Sequence, residues 1–142
     1  MRALLDVNVL IALLDSDHAS HQRALEWFDD HGREGWSSCP ITQNGCVRIM
    51  SHPGYPNALP AAAVIERLAE ASESRYHQFW PDDISVLDAR LFDSRRILGP
   101  RQLTDIYLLA LAVRNKGRLV TFDSSIFLDP VKGAGKSSLL IL

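Results

Sequence analysis

The chain has 142 residues, of which 46% are apolar and 23% are charged. This length is typical of one domain with its own hydrophobic core, so we expect residues 1–142 to form a single domain. The 15 basic residues are balanced by 17 acidic ones, which leaves a net charge of −2. That balance excludes a uniformly basic nucleic-acid-binding protein and a charge-rich disordered chain.

Cysteine content and hydropathy indicate the compartment. Cys39 and Cys46 are too few for a disulfide scaffold and lack the spacing of a zinc site, so we expect two small buried side chains. The apolar run at residues 7–14 is shorter than the ~20 residues that cross a bilayer. No signal-peptide pattern is visible at the start. The sequence predicts a soluble cytoplasmic protein that does not associate with membranes.

The first half of the chain alternates short apolar strands with amphipathic helices. Strands are expected at residues 3–5 and 36–38. Two prolines and a glycine within residues 51–57 predict a turn. Helices are expected at residues 9–14, from residue 24 to near Gly32, at residues 41–50 with Pro40 preceding them, and at residues 61–71 with Pro60 in the first turn.

The second half continues the alternation. A strand is expected at residues 76–80, a helix at 87–98 that Gly99 and Pro100 stop, a longer helix at 104–115, and strands at 118–122 and 138–142. Arg114, Lys116 and Gly117 suit the end of the longer helix. The pattern predicts an α/β fold with a mostly parallel central sheet flanked by helices. Chemistry in such folds gathers at the carboxyl ends of the strands.

Three aspartates are expected at the edge of the sheet where the carboxyl ends of the strands lie. Asp6 follows the first strand, Asp123 follows another, and Asp105 opens the longest helix. Helix capping explains any one of them taken singly. Together they would repel one another, which raises their pKa values unless a cation is bound. Mg²⁺ or Mn²⁺ resolves that conflict because hard ions prefer carboxylate, carbonyl and water oxygens.

The blocks that contain these aspartates carry a resemblance to a known family. They read LLDVNVL at residues 4–10, LTDIYLLALA at 103–112 and LVTFD at 119–123. In order and spacing they resemble the signature blocks of PIN-domain ribonucleases, and in length and layout the chain resembles bacterial toxins of the VapC type. The resemblance implies a PIN-like three-layer fold and a Mg²⁺- or Mn²⁺-dependent endoribonuclease. It also implies products with a 5′-phosphate and a 3′-hydroxyl.

The resemblance further assigns roles to residues. Asp6, Asp105 and Asp123 would be the catalytic carboxylates and would hold the metal ion. Asn8 and Thr121 would orient ligands or water through hydrogen bonds. A cognate antitoxin protein would hold the enzyme inactive by inserting a basic side chain against the three carboxylates.

One position departs from the family pattern, which has a second acid, usually Glu, near the start of the helix after the second strand. Residues 41–50 contain no acid, and Asn44 or Gly45 lies nearest to that place. The Asn44 carbonyl would offer a ligand without charge, so the site would carry three negative charges rather than four. The alternative is therefore a catalytically weak or inactive PIN module that binds RNA or a protein partner.

A basic stretch is expected to contact the RNA backbone. Residues 95–118 carry six cations against one acid, so this stretch has a charge of +5 and the rest of the chain −7. Arg95, Arg96 and Arg101 are the predicted RNA-binding residues, because arginine makes bidentate contacts to phosphate. The alternative is a solvated helix end in an arginine-rich chain. Two-fold symmetry is common among small proteins, so a homodimer with both acidic sites on one groove is expected.

Other functional classes fit less well. A phospho-acceptor receiver would need an acidic pair near the first strand, and an aspartate-based phosphatase would need Asp where Asn8 stands. Gly135 lacks the preceding glycine of a nucleotide-binding loop. His18 and His21 are expected at a surface helix start. The aromatic pairs Trp27–Phe28 and Phe79–Trp80 are expected in the core rather than as base-stacking platforms.

Overall fold

The computed structural model describes all residues, 1–142, as a five-stranded sheet with helices on both faces. The strands are β1 (Ala3–Leu5), β2 (Trp36–Ser38), β3 (His77–Phe79), β4 (Arg118–Thr121) and β5 (Leu139–Ile141). The helices are α1 (Val7–Leu14), α2 (His21–His31), α3 (Pro40–Met50), α4 (Ala61–Ser72) and α5 (Leu103–Arg114). No helix has the length and apolarity needed to cross a bilayer.

All neighbouring strands pair in parallel, in the order β3-β2-β1-β4-β5. Leu4 on β1 faces a core cluster built mainly by α5, whereas Leu5 faces a second cluster with α1, α3 and α4. This alternation follows from the two-residue period of a strand. The predicted α/β fold with a parallel sheet between helical layers is confirmed. The parallel arrangement brings the ends of β1 and β4 to one edge.

The predicted helix at residues 87–98 is wrong. Asp88 accepts a hydrogen bond from the Arg90 N–H, and Asp93 accepts one from the Arg95 N–H, so local side-chain contacts replace helical ones. Phe92 forms an isolated antiparallel bridge with Val131. Only one short 3₁₀ turn, Ser94–Arg96, occurs in this stretch.

The second aromatic pair was predicted to be core, but this is wrong for Phe79. Its side chain is 50% exposed, whereas Trp80 is buried. Phe79 lies on β3, an edge strand whose outer side has no neighbouring strand. Trp27 and Phe28 pack partly buried against the second core cluster. Most other predicted boundaries differ from the observed ones by one or two residues.

Gly117, which was predicted to end α5, has a different structural role. Lys116, not Gly117, adopts the left-handed backbone conformation, with φ of 55°. A Cβ at Gly117 would lie 2.6 Å from the Arg2 carbonyl oxygen and 2.7 Å from the Trp80 ring. Glycine is therefore required here for the close approach of the chain entering β4.

Both cysteines are free and buried, as predicted. Burial raises the pKa of Cys39 to about 11 and that of Cys46 to about 12. Thiols with such pKa values stay protonated and poorly nucleophilic near neutral pH, so neither is a candidate nucleophile.

Candidate active site

Asp6 ends β1 and caps α1 at the same time. One carboxylate oxygen accepts the Val7 N–H at 2.7 Å, and the other accepts the Thr121 hydroxyl at 2.7 Å. The residue is only 6% exposed. Burial raises the pKa of Asp6, the two hydrogen bonds oppose that rise, and the charge of Asp123 adds to it. Asp6 therefore caps α1. Burial and the charge of Asp123 still oppose ionisation of its carboxyl group.

Thr121 and Asn8 hold this carboxylate in place. The Thr121 oxygen accepts the Asn8 side-chain amide at 3.1 Å and the Asp123 N–H at 3.0 Å. The Asn8 carbonyl oxygen accepts the Phe122 N–H at 3.2 Å. The end of β4 is thus bonded to the first turn of α1. Thr121 therefore bonds to Asp6 and to the backbone of Asp123, and Asn8 bonds to Thr121; their role in orienting ligands or water stays a prediction.

Asp123 is oriented by its own loop. One of its carboxylate oxygens accepts both the Ser125 N–H at 2.8 Å and the Ser125 hydroxyl at 2.6 Å. The sequence reasoning missed Ser125. Its signal is the Asp-x-Ser spacing, which is typical of a local turn closed by the aspartate side chain. The second carboxylate oxygen of Asp123 makes no hydrogen bond within the protein and is left for a ligand.

Asp105 lies in the first turn of α5, and its side-chain carboxyl group has no hydrogen-bond partner within the protein. It is half-buried, and its pKa is raised to about 6. Burial is the largest cause, and the negative charges of Asp6 and Asp123 are the next. Three carboxylates from three separate elements therefore interact, and Asp105 is the one whose charge is least compensated.

Asp105 and Asp123 line one cavity of about 180 Å³. Its other lining residues are Arg101, Gln102, Ile106, Ser125, Ile126 and Phe127. Arg101 is the only cation among them, and it forms no salt bridge with either aspartate. The cavity thus combines acceptors for a cation with a free guanidinium that suits an anionic substrate.

The oxygen donors around the cavity are of the kind that a divalent metal ion prefers. No group of three or more His, Cys, Asp or Glu side chains is close enough to form a complete metal-binding cluster. Mg²⁺, however, binds through one or two carboxylates and retains several waters. Asp105 and Asp123 share the cavity, and the nearby charge of Asp6 strengthens the preference for a cation. These residues fit a water-rich Mg²⁺ or Mn²⁺ site.

Asn44 is not brought into this cavity. It is exposed on α3 and lines a groove between α3 and α4 together with Gln43 and Ile65. The Gln43 amide instead donates to the Ser38 hydroxyl at 3.0 Å, at the end of β2. Gly45 packs against Val7, where an added Cβ would lie 2.7 Å from a methyl carbon. Helix α3 thus adds no charge to the site.

The three predicted RNA-binding arginines differ in their surroundings. Arg101 lines the acidic cavity. Arg96 forms salt bridges with Asp93 at 3.2 Å and Asp129 at 3.8 Å. Arg95 is exposed and forms none.

The remaining cations of the basic stretch do not extend this surface. Arg114 and Lys116 are at the far end of α5, and Arg118 begins β4. Because parallel strands all begin at the edge opposite their carboxyl ends, these three lie away from the aspartates. The basic stretch is therefore divided between two edges of the sheet.

Comparison with known proteins identifies the family of this chain. The PIN domain family matches residues 3–130. Ribonuclease VapC44 of Mycobacterium tuberculosis is 54% identical over 142 residues, which is 100% of both chains. Ribonuclease VapC39 of the same organism is 42% identical over 127 residues, covering 89% of this chain and 91% of the relative.

A solved structure supports the same fold. The match is VapBC2 from Rickettsia felis, determined bound to a DNA fragment from its promoter. It has a TM-score of 0.52 and 13% sequence identity, and the match covers 87% of this chain and 89% of the other. At this identity the likeness concerns the fold alone. The family match over residues 3–130 and the full-length similarity to the mycobacterial VapC44 show that the chain belongs to the PIN domain family, among the VapC-type ribonucleases.

Proposed function

We propose that this chain is a Mg²⁺- or Mn²⁺-dependent endoribonuclease and the toxin of a toxin–antitoxin pair, acting in the cytoplasm as a single domain. The observation that carries the proposal is the electrostatic coupling of Asp6, Asp105 and Asp123 beside one cavity. The mycobacterial relatives are named ribonucleases, which supports RNA as the substrate. The raised pKa of Asp105, whose carboxyl group has no hydrogen-bond partner in the protein, supports the binding of a cation at this carboxylate.

Each residue of the site has a separate role in the proposed reaction. Asp105 and Asp123 would hold a divalent ion, and Asp6, fixed by Thr121, adds negative charge behind them. The ion would supply a Lewis acid for the activation of water and for the charge on the departing oxygen. Arg101 binds a non-bridging oxygen of the scissile phosphate. Water forms the new bond to phosphorus, the bond to the 3′ oxygen breaks, and the products carry a 5′-phosphate and a 3′-hydroxyl.

Cleavage of a labelled RNA by the purified chain tests the proposal. We expect cleavage with Mg²⁺ or Mn²⁺ and none after chelation. Asp6→Asn and Asp105→Asn should each abolish cleavage while the circular dichroism spectrum is unchanged. Asp30→Asn, an exposed change on α2, is the matched control and should cleave normally. Wild-type cleavage by either active-site variant would contradict the assignment.

A second candidate function is a PIN module that binds RNA or a protein without cleaving it. The observation in its favour is that α3 contributes no acid and leaves Asn44 in a different groove. This candidate predicts that the wild-type chain binds RNA and leaves it intact with every divalent ion tried. Detection of a 5′-phosphate on a product fragment would exclude it.

The partners follow from the same proposal. We propose a cognate antitoxin that inserts a basic side chain against the aspartates, and a two-fold homodimer of this chain. The solved VapBC2 match supports looking for the antitoxin. Co-purification with the product of the neighbouring gene, and loss of cleavage in that complex, test the antitoxin.

A further inference from the structure

Two exposed apolar side chains flank, along the sequence, residues that line the acidic cavity. Leu98 is 78% exposed and Leu103 is 42% exposed. They flank Arg101 and Gln102, both of which line the cavity. Residues 94–103, named the Leu98 loop, therefore carry exposed apolar side chains close in sequence to two residues of the candidate active site.

The Leu98 loop holds this surface in a defined conformation. It consists of two 3₁₀ turns, Ser94–Arg96 and Pro100–Gln102, on either side of Leu98. Ile97 packs partly buried against the core, and the Leu98 N–H donates to the Gln102 side-chain oxygen at 3.0 Å. Leu98 is thus directed outward by a backbone that is anchored on both sides.

Cationic side chains lie on both sides of Leu98 in the sequence. Arg95 and Arg101 are both exposed and form no salt bridge, whereas Arg96 is engaged by Asp93 and Asp129. The loop therefore presents an uncompensated cation, a leucine and a second uncompensated cation within seven residues. Phosphates alternate with bases along a nucleic acid strand, so this order matches a single strand in both charge and polarity.

We propose that the Leu98 loop binds an unpaired nucleotide next to the scissile phosphate, with Arg95 and Arg101 on backbone phosphates and Leu98 against the face of the base. This inference rests on the proposed ribonuclease function and names the residues of this chain that contact an unpaired part of its RNA. Bases in a duplex are stacked and cannot present a face to Leu98. The contact reads no base edge, so it selects for an unpaired state rather than for a sequence.

Binding without cleavage tests the inference. The probes are a fluorescein-labelled single-stranded RNA of mixed sequence and the same strand annealed to its complement, both with EDTA. We expect Leu98→Ser to weaken binding of the single strand about fivefold and to leave duplex binding unchanged. Leu87→Ser is the matched control, because Leu87 is 89% exposed on the same connection but lies outside the loop that carries the cavity residues Arg101 and Gln102.

A spectroscopic probe separates base contact from a structural effect. A 2-aminopurine placed in the unpaired RNA should change its fluorescence on binding to the wild type and to Leu87→Ser, and much less on binding to Leu98→Ser. Arg101→Gln should weaken binding of both RNAs and reduce the salt dependence, because fewer counterions are released.

The outcomes distinguish this inference from the proposed function. Equal single-strand affinity for Leu98→Ser and the wild type overturns the inference while the ribonuclease proposal stands. A change in oligomeric mass without a change in RNA affinity also overturns it, in favour of a protein contact at this loop. Failure of the wild-type chain to bind either RNA would instead overturn the proposed function.

Discussion

Asp105 is the residue whose environment most opposes its charge. Its raised folded-state pKa, about 6, lies above the ordinary value of 3.8, so the folded protein binds this proton more tightly than the unfolded chain does. The free energy of unfolding of the metal-free protein therefore falls as pH rises from about 4 through about 6. We expect a lower melting temperature near pH 7 than near pH 5 in EDTA, measured by thermal denaturation.

The variant Asp105→Asn isolates this contribution. It removes the charge and keeps the shape, so it should raise the melting temperature of the metal-free protein near neutral pH and flatten its pH dependence. It should also weaken Mn²⁺ binding, measured by titration calorimetry. A wild-type pH profile in this variant would show that another group titrates in that range.

Thr121 supplies the next residue-scale prediction. Its buried hydroxyl donates to Asp6 and accepts from Asn8 and from the Asp123 N–H. Thr121→Val removes that hydroxyl and leaves buried polar groups unpaired, which should destabilise the fold by about 1–3 kcal/mol in urea denaturation. Thr121→Ser keeps the hydroxyl and should recover most of the loss. If valine and serine behave alike, packing rather than hydrogen bonding explains the effect.

Contact between α1 and α3 is the element-scale feature closest to the site. Gly45 approaches Val7, the residue after Asp6, so closely that a Cβ would lie 2.7 Å from a Val7 methyl carbon. Valine is stiff at χ1 and cannot rotate away freely. Gly45→Ala should cost about 1–3 kcal/mol of stability, and adding Val7→Ala should restore part of it. Additive losses in the double-mutant cycle would show that the two positions do not interact.

Elements also explain which parts of the site were predictable. Asp6 and Asp123 follow apolar strands in the sequence, and parallel pairing of β1 with β4 then requires them to share an edge. Helix α3 could not be treated in this way. An α-helix makes one turn every 3.6 residues, so Asn44 and Gly45 point in directions about 100° apart. Which of them occupies the position of the second acid depends on the packing of α3 against α1 and α4. The packing turns Asn44 toward α4.

Irregular segments were the least predictable elements. The leucines at 87, 91 and 98 indicate a helix by spacing, but Asp88 and Asp93 close local turns instead. That outcome depends on the bridge between Phe92 and Val131, a contact between residues distant in sequence. The Leu98 loop owes its exposed leucine to the same long-range anchoring.

At the scale of the whole molecule, the cations are divided by the fold. Arg101 lines the acidic cavity and Arg95 lies on the preceding 3₁₀ turn, whereas Arg114, Lys116 and Arg118 lie at the opposite edge. Charge reversal of Arg95 and Arg101 should therefore reduce the salt dependence of RNA binding, whereas reversal of Arg114 and Lys116 should not. Fluorescence anisotropy at several salt concentrations measures both. Equal effects from the two pairs would show that RNA contacts both edges.

Oligomeric state is the second whole-molecule prediction. Ile65 on α4 is 54% exposed and Ile49 on α3 is 39% exposed, so the α3–α4 face leaves apolar surface in water. We expect a two-fold dimer with twice the 15.9 kDa chain mass in light scattering. Ile65→Lys should shift the dimer toward monomer if this face is the interface. A wild-type mass of one chain would exclude the dimer altogether.

Local sequence patterns were sufficient for the chain order of the strands and helices apart from the helix expected at residues 87–98, for the apolar faces that bury against the sheet, and for the aspartates at strand and helix ends. These features depend on local periodicity and on the parallel pairing that alternating elements impose. Tertiary structure alone decided the separation of Asn44 from the carboxylates, the division of the basic stretch and the outward position of Leu98. Each of these depends on contacts between residues far apart in the chain, and no local pattern contains that information.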